Sequence, residues 1–199
     1  MIPQRLVLAT ANRGKTAELA ELLREWGTID VLGLERFPGL TCPQERGATY
    51  AENAVSKATA VAVATGLPAL ADDSGLEVDA LGGAPGIYSA RYAGPGSSDA
   101  ERVANLLAEV ARVPVDRRSA RFRCVVAIAW PEGRIETADG ECRGRIASAP
   151  SGVGGFGYDP VFVSDDLERT FAEATPAEKR RVSHRARALR ALGERLRCA

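Results

Sequence analysis

Residues 70–75, Leu-Ala-Asp-Asp-Ser-Gly, put two adjacent carboxylates at the end of a short apolar run, Leu67-Pro-Ala-Leu-Ala71. A strand that delivers Asp72 and Asp73 into a turn sets hard oxygen ligands at the rim of a sheet, where α/β folds bind ligands. Hard oxygens suit Mg2+, and Mg2+ suits phosphates. The same residue types also build ordinary acidic turns, so the other segments decide between the two.

Ala9-Thr-Ala-Asn-Arg-Gly-Lys-Thr16 nearly spells GxxxxGK[ST], with Ala9 in place of the first Gly. A phosphate loop sits between a strand and a helix and uses its Lys on phosphates. One glycine, Gly14, leaves the backbone less free to wrap a phosphate than a Gly-rich loop is. The broader reading is an anion site: Thr10, Asn12 and Lys15 stand at a helix N-terminus, whose N–H groups face anions. Asn53 and Lys57, four apart, share one helix face; the alternative is a solvent-facing pair. Gly82-Gly-Ala-Pro-Gly-Ile-Tyr-Ser-Ala-Arg-Tyr92 reads either as a fixed loop presenting Tyr88, Arg91 and Tyr92 or as a plain turn. Gly152-Val-Gly-Gly-Phe-Gly-Tyr-Asp-Pro160 sets Phe156 and Tyr158 among glycines. Exposed, those rings would stack on a base; otherwise they fold into the core. Lys179 and Ser183-His-Arg185 lie in a basic stretch that reaches a nucleotide or forms a charged surface.

Those groups need a scaffold. Arg5 to Thr10 reads as a buried strand. A helix follows from Lys15 to Trp26, with Leu19, Leu22, Leu23 and Trp26 on one face. A second strand runs from Ile29 to Leu34, so an α/β fold is expected. Thr49-Tyr-Ala-Glu52 predicts a capping box and a helix from Tyr50 to Thr65, stopping at Gly66. Ser98-Asp-Ala-Glu101 predicts another, opening a helix to about Ala111. Thr175-Pro-Ala-Glu178 predicts a third, with Pro at the first helical position. Leu189, Leu192 and Leu196 then mark a C-terminal helix with one apolar stripe. Phe122, Cys124, Val126, Ile128 and Trp130 alternate with Arg121, Arg123, Val125, Ala127 and Ala129, a period of two. Pro131-Glu-Gly133 turns that strand into a hairpin partner spanning Arg134 to Ala147. The expected architecture is a mixed sheet flanked by helices.

The 199 residues fit one large domain, or two lobes sharing a core. Lys+Arg and Asp+Glu both number 26, so no global charge draws the chain to nucleic acid or membrane. No apolar run approaches the ~20 residues of a membrane span, and the start leads directly into a strand pattern without a signal-peptide layout. Cys42, Cys124, Cys142 and Cys198 form no CxxC and read as reduced thiols of a cytoplasmic protein. With His184 the only histidine, a structural zinc site is not expected.

Taken in order, TANRGK at 10–15, TYAENAVSKA at 49–58, LADDSGLEVDALGGAPGIYSARYAG at 70–94, GGFGYDPVF at 154–162 and EKRRVSHRARAL at 178–189 resemble the inosine/xanthosine triphosphate pyrophosphatase family. The resemblance covers nearly the whole chain, and the phosphate-loop reading explains only its first motif. It implies a single domain over residues 1–199, with an elongated central mixed sheet flanked by helices and two lobes around an active-site cleft. It implies a homodimer and Mg2+-dependent hydrolysis of nonstandard purine nucleoside triphosphates to monophosphate and pyrophosphate. By position it implies Asp73 as the catalytic carboxylate and a Mg2+ ligand. Thr10, Ala11, Asn12, Arg13, Gly14, Lys15, Asn53, Lys57 and Ser74 are implied as substrate contacts. Phe156, Gly157, Tyr158 and Asp159 are implied to hold the base, with Phe156 as the stacking ring, while Lys179, His184 and Arg185 close the pocket. The family's metal-binding Glu falls at Gln44 here, so either Glu45 takes its place or the metal leans on Asp72 and Asp73. The rival readings are a phosphate-loop NTPase releasing orthophosphate and a non-catalytic nucleotide-binding protein.

Overall fold

The structure, a computed structural model, describes residues 1–198. The strands are β1 (Arg5–Leu8), β2 (Asp30–Leu32), β3 (Ala69–Val78), β4 (Ser119–Ala129), β5 (Ile135–Ile146), β6 (Phe162–Ser164) and β7 (Arg169–Thr170). They form one sheet in the order β2-β1-β3-β4-β5-β6-β7. β1 runs parallel to β2 and β3, whereas β6 runs antiparallel to β5 and β7. The helices are α1 (Arg13–Leu23), α2 (Tyr50–Thr65), α3 (Asp99–Glu109), α4 (Pro176–Val182) and α5 (His184–Cys198). The mixed α/β fold expected from the sequence is therefore the fold observed.

The chain folds into two compact units, each with its own core. The first comprises residues 1–73, residues 124–140 and the chain from Arg185. Its core packs Leu6 and Leu8 of β1 against Leu19, Leu22 and Leu23 of α1 and against Leu189, Leu192 and Leu196 of α5. Each such buried leucine contributes about 1.5–3 kcal/mol relative to exposure. The second unit comprises residues 74–123 and 141–184. Phe122, Phe162 and Phe171 centre its core, with Phe122 and Phe162 tilted at 4.6 Å between ring centroids.

Local chemistry explains most element boundaries. Gly66 ends α2 in the left-handed region, φ 67°, and its N–H donates to Ala62 O. Ser98 and Thr175 form reciprocal capping boxes with Glu101 and Glu178. The box predicted at Thr49 is only half formed. Thr49 caps Glu52 N at 3.1 Å, but the Glu52 carboxylate accepts from Ala48 N, one residue earlier. At the other end of the chain, Ser183 interrupts the helical run in an extended conformation, ψ 152°, so α4 and α5 are separate helices. The largest departure concerns Asp72-Asp73-Ser74-Gly75. No turn forms there; β3 runs straight through all four residues.

The capping carboxylates set a pH dependence. Backbone and side-chain hydrogen bonds from Ser98 hold Glu101 below its usual 4.5, and those from Thr175 do the same for Glu178. A carboxylate depressed in the folded state stabilises it above the unfolded pKa, and that contribution is lost as pH falls through the folded value. Calorimetric melting temperatures should therefore be insensitive to these two groups at neutral pH and fall with their protonation below about pH 4.5. In the double variant Glu101→Gln, Glu178→Gln, this acid-side decline should be shallower; an unchanged slope would refute the assignment.

Candidate active site

In the first unit, charged side chains converge around β3. At the start of α1, Asn12 is the N-cap and its Oδ1 accepts from Lys15 N at 3.0 Å. Thr10 Oγ1 accepts from Asn12 N at 3.2 Å, which fixes the loop before the helix. Ala11, Arg13 and Asn12 are exposed, and Thr10, Gly14 and Lys15 are partly so. The Lys15 ammonium lies 3.1 Å from Asp72 Oδ2.

Asn53 and Lys57 do not face solvent; they are 2% and 6% exposed. Asn53 Nδ2 donates to Asp73 Oδ2 at 2.8 Å, and its Oδ1 accepts from Gly47 N at 2.7 Å. That approach demands glycine: a Cβ at Gly47 would meet Asn53 Oδ1 at 2.8 Å. One turn on, Lys57 Nζ donates to Glu45 Oε1 at 2.5 Å and to the Asp72 carbonyl at 2.7 Å. Gln44 turns elsewhere, its Oε1 accepting from Arg46.

Because successive side chains on a strand point to opposite faces, the two aspartates have different surroundings. Asp72 meets Lys15 and the Arg185 guanidinium, whose Nε donates to Asp72 Oδ2 at 3.1 Å. Burial alone would raise the Asp72 carboxyl, but Lys15, Arg185 and Lys57 outweigh it and hold the group well below the usual carboxylate range. Asp73 is pushed the other way. Burial raises it and the Glu45 carboxylate adds to the rise, only partly offset by Lys57, Lys15 and the Asn53 hydrogen bond. Lys57 stays an ammonium, since Asp72, Glu45 and Asp73 together overcome the effect of burial.

This asymmetry bears on which carboxylates could hold a divalent cation. Asp72 Oδ2 faces the cations Lys15 and Arg185, and Glu45 Oε1 faces Lys57. Asp73 and Glu45 supply hard oxygens whose mutual repulsion a cation would relieve. Among the described residues no group of three or more His, Cys, Asp or Glu is arranged to hold a metal. Two carboxylates are nevertheless the usual protein share for Mg2+, which keeps waters and substrate phosphates as its other ligands.

Arg185, a pocket-closing residue by resemblance, lies in the first unit. It is 1% exposed, and its guanidinium is engaged by Asp72 and by Glu18 of α1. Burial would favour losing the proton, but Asp72 and Glu18 keep Arg185 firmly cationic. Its place is inside the first unit, behind Asp72. Glu18 was not singled out from sequence; its only signal is the three-residue spacing from Lys15 on α1.

The remaining candidates belong to the second unit, which begins at the partly exposed Ser74. Phe156 is partly exposed, and its N–H donates to Asp159 Oδ2 at 2.8 Å. Lys179 Nζ lies 2.5 Å from the same oxygen and 4.8 Å from the Phe156 ring centroid, a cation–π position. Gly155 must be glycine, because it has φ 71° and a Cβ there would overlap Asp159. Gly157 also occupies the left-handed region, φ 63°. Tyr158 is 4% exposed, and its hydroxyl donates to Ser89 O at 3.0 Å. Its ring therefore serves the core, leaving Phe156 as the ring that can meet a ligand. His184 is buried and stacks on Phe122 at 4.7 Å between centroids.

Comparison with known proteins places this geometry in context. A family model for the Ham1 family matches residues 6–195. A protein of Desulforamulus reducens named dITP/XTP pyrophosphatase is 54% identical over 186 residues, covering 94% of this chain and 92% of that one. One of the same name from Nitratidesulfovibrio vulgaris is 52% identical, covering 98% and 96%. Among solved structures, a HAM1 protein from Coxiella burnetii matches with a TM-score of 0.87 at 42% identity, covering 99% of this chain and all of that one. A structure from Mycobacterium abscessus described as a nucleoside-triphosphatase, dITP/XTP pyrophosphatase, matches with a TM-score of 0.75 at 43% identity, covering 94% and 98%.

Proposed function

The chain belongs to the Ham1 family, and on that premise we propose that it hydrolyses deoxyinosine and xanthosine triphosphates to the monophosphate and pyrophosphate. The observation that carries this reading is the split pair on β3. Asp73 accepts from Asn53 at 2.8 Å and Glu45 from Lys57 at 2.5 Å, while Asp72 Oδ2 lies 3.1 Å from the Lys15 ammonium. A nucleotide carries what this cluster needs, polyanionic oxygens beside a reacting phosphorus.

Cleavage between the α and β phosphates requires in-line attack of water at the α-phosphorus. The protein supplies positioning and charge neutralisation more than covalent chemistry. Asp73 accepts the proton of the attacking water or orients that water. Lys15 and Lys57 neutralise the departing pyrophosphate, and the Thr10–Lys15 loop and Ser74 place the phosphates. Asp73 and Glu45 would hold Mg2+, which when bound neutralises phosphate oxygens and lowers the pKa of a bound water. Phe156 stacks on the purine, with Gly157, Asp159 and Lys179 supporting the loop beneath it. Arg185 positions Asp72 and so Lys15. A site that donates hydrogen bonds to a 6-oxo group rejects a 6-amino purine by up to roughly 10⁴-fold, since the mismatched group is left unpaired. Residues 1–199 act as one functional domain, in a cytoplasmic homodimer with no need of nucleic acid.

The test is product analysis with Mg2+ and equal concentrations of deoxyinosine, xanthosine, adenosine and guanosine triphosphates. Pyrophosphate and monophosphate should come mainly from the first two, and chelation should stop turnover until Mg2+ is restored. Orthophosphate and diphosphate would instead support a phosphate-loop NTPase, and no turnover would point to a binding protein.

A further inference from the structure

We propose that Asp99, with Arg102 behind it, is a positioning residue that holds the Phe156 loop in its base-binding conformation. The inference rests on the assignment of Phe156 as the stacking ring. All the residues concerned lie in the second unit. Phe156 sits between Gly155 and Gly157, both with positive φ. Glycine-flanked backbone has many alternatives in solution, so a single presentation of the ring requires anchors. The structure provides them on both sides. Gly154 N donates to Ala172 O at 2.9 Å, Phe156 N to Asp159 Oδ2 at 2.8 Å and Gly157 N to Asp99 Oδ2 at 2.6 Å.

The Asp99 anchor is the one supplied from far away in sequence. Asp99 is the first residue of α3, and its other carboxylate oxygen pairs with Arg102 one turn on. Arg102 also donates to Ser97 O at 2.5 Å and to Ala90 O at 3.0 Å. Ala90 belongs to the segment that Tyr158 grips through Ser89 O. Ser89 Oγ in turn accepts from Leu76 N at 2.9 Å. One short helix start thus ties together the two glycine-rich loops, 82–92 and 152–160. The Gly157 bond ends on a carboxylate, and such charge-assisted bonds are about twice as strong as neutral ones.

The experiment compares wild type, Asp99→Ala, Asp99→Asn and Phe156→Ala. The readouts are hydrogen exchange over residues 152–159, the Kd for deoxyinosine monophosphate, and kcat and KM for deoxyinosine triphosphate. Asp99→Ala should accelerate exchange in that segment and raise Kd and KM about tenfold, the usual loss for one charged hydrogen bond. Its kcat should stay within about twofold, because bound substrate still meets the same phosphate residues. Asp99→Asn keeps the shape and a neutral acceptor, and should give about a threefold rise. Should Asp99→Ala not fold, Asp99→Asn decides alone. Wild-type exchange and Kd in whichever variant folds would overturn the proposal. A normal Kd in Phe156→Ala would overturn the stacking assignment instead, and a raised Kd there with a normal Kd in the Asp99 variants would overturn the Asp99 role alone.

Discussion

Asp73→Asn should lower kcat for deoxyinosine triphosphate by about 10³-fold while leaving the protein folded, in line with the 10²–10⁴-fold worth of a positioned general base. Asparagine keeps the size of the side chain and an acceptor for Asn53 Nδ2, which lies 2.8 Å from Asp73 Oδ2. What it removes is a charge that the fold disfavours. Burial and the Glu45 carboxylate both raise the Asp73 pKa, so the neutral variant should melt at the wild-type temperature or slightly above it. A site that sacrifices stability for function shows this combination. Asp72→Asn should behave differently, because Lys15 and Arg185 both depend on Asp72 for a counter-charge. Steady-state kinetics with calorimetry on the two variants separates the roles. Retention of more than about a tenth of wild-type kcat in Asp73→Asn would remove Asp73 from the chemistry.

These distinct roles for neighbouring aspartates were not legible in the sequence, and the reason is local. Asp, Ser and Gly are turn formers, so the run Asp72–Gly75 reads as the end of a strand. The contrary signal is weak: Leu76 and Val78 resume an apolar alternation after the glycine, and both are buried. Once β3 is taken through to Val78, strand alternation alone separates Asp72 from Asp73. The caps at Ser98 and Thr175 and the stop at Gly66 were legible because they depend on residues within one turn of each other. The same holds for the start of α1, which Asn12 caps by accepting from Lys15 N. Lys57 was ambiguous, since a Lys four residues from an Asn is as common on a solvated face; Glu45 and the Asp72 carbonyl, which bury it, come from other segments. The surroundings of Arg185 were illegible for the same reason. The basic run from Lys179 to Arg187 reads as reaching a nucleotide or as a charged surface, and Glu18 and Asp72, which Arg185 meets, lie 167 and 113 residues away. Charge in sequence reports composition, and burial depends on what the fold brings opposite.

Arg185→Met should be among the most destabilising single substitutions in the first unit. The methionine fills much of the volume, but Asp72 keeps Lys15 and loses the Arg185 guanidinium, and Glu18 loses it too. Breaking a buried ion pair by removing one member costs about 3–5 kcal/mol, and the loss should lie at the lower end because Asp72 keeps Lys15 at 3.1 Å. For a chain of this size that corresponds to a melting temperature lower by about 10 °C. Arg185→Lys should fall between, since an ammonium keeps the charge but not the planar fork that reaches two carboxylates at once. Adding Glu18→Gln to Arg185→Met should recover part of the loss by neutralising the carboxylate that the guanidinium faced. Activity measured well below the melting temperature discriminates positioning from base recognition. If Arg185 acts through Asp72 and Lys15, the variant should lose turnover on every nucleotide alike, and the ratio of deoxyinosine to adenosine triphosphate hydrolysis should be unchanged. A collapsed ratio with an unchanged melting temperature would instead assign Arg185 to reading the base, and would require the guanidinium to leave the carboxylates that enclose it here.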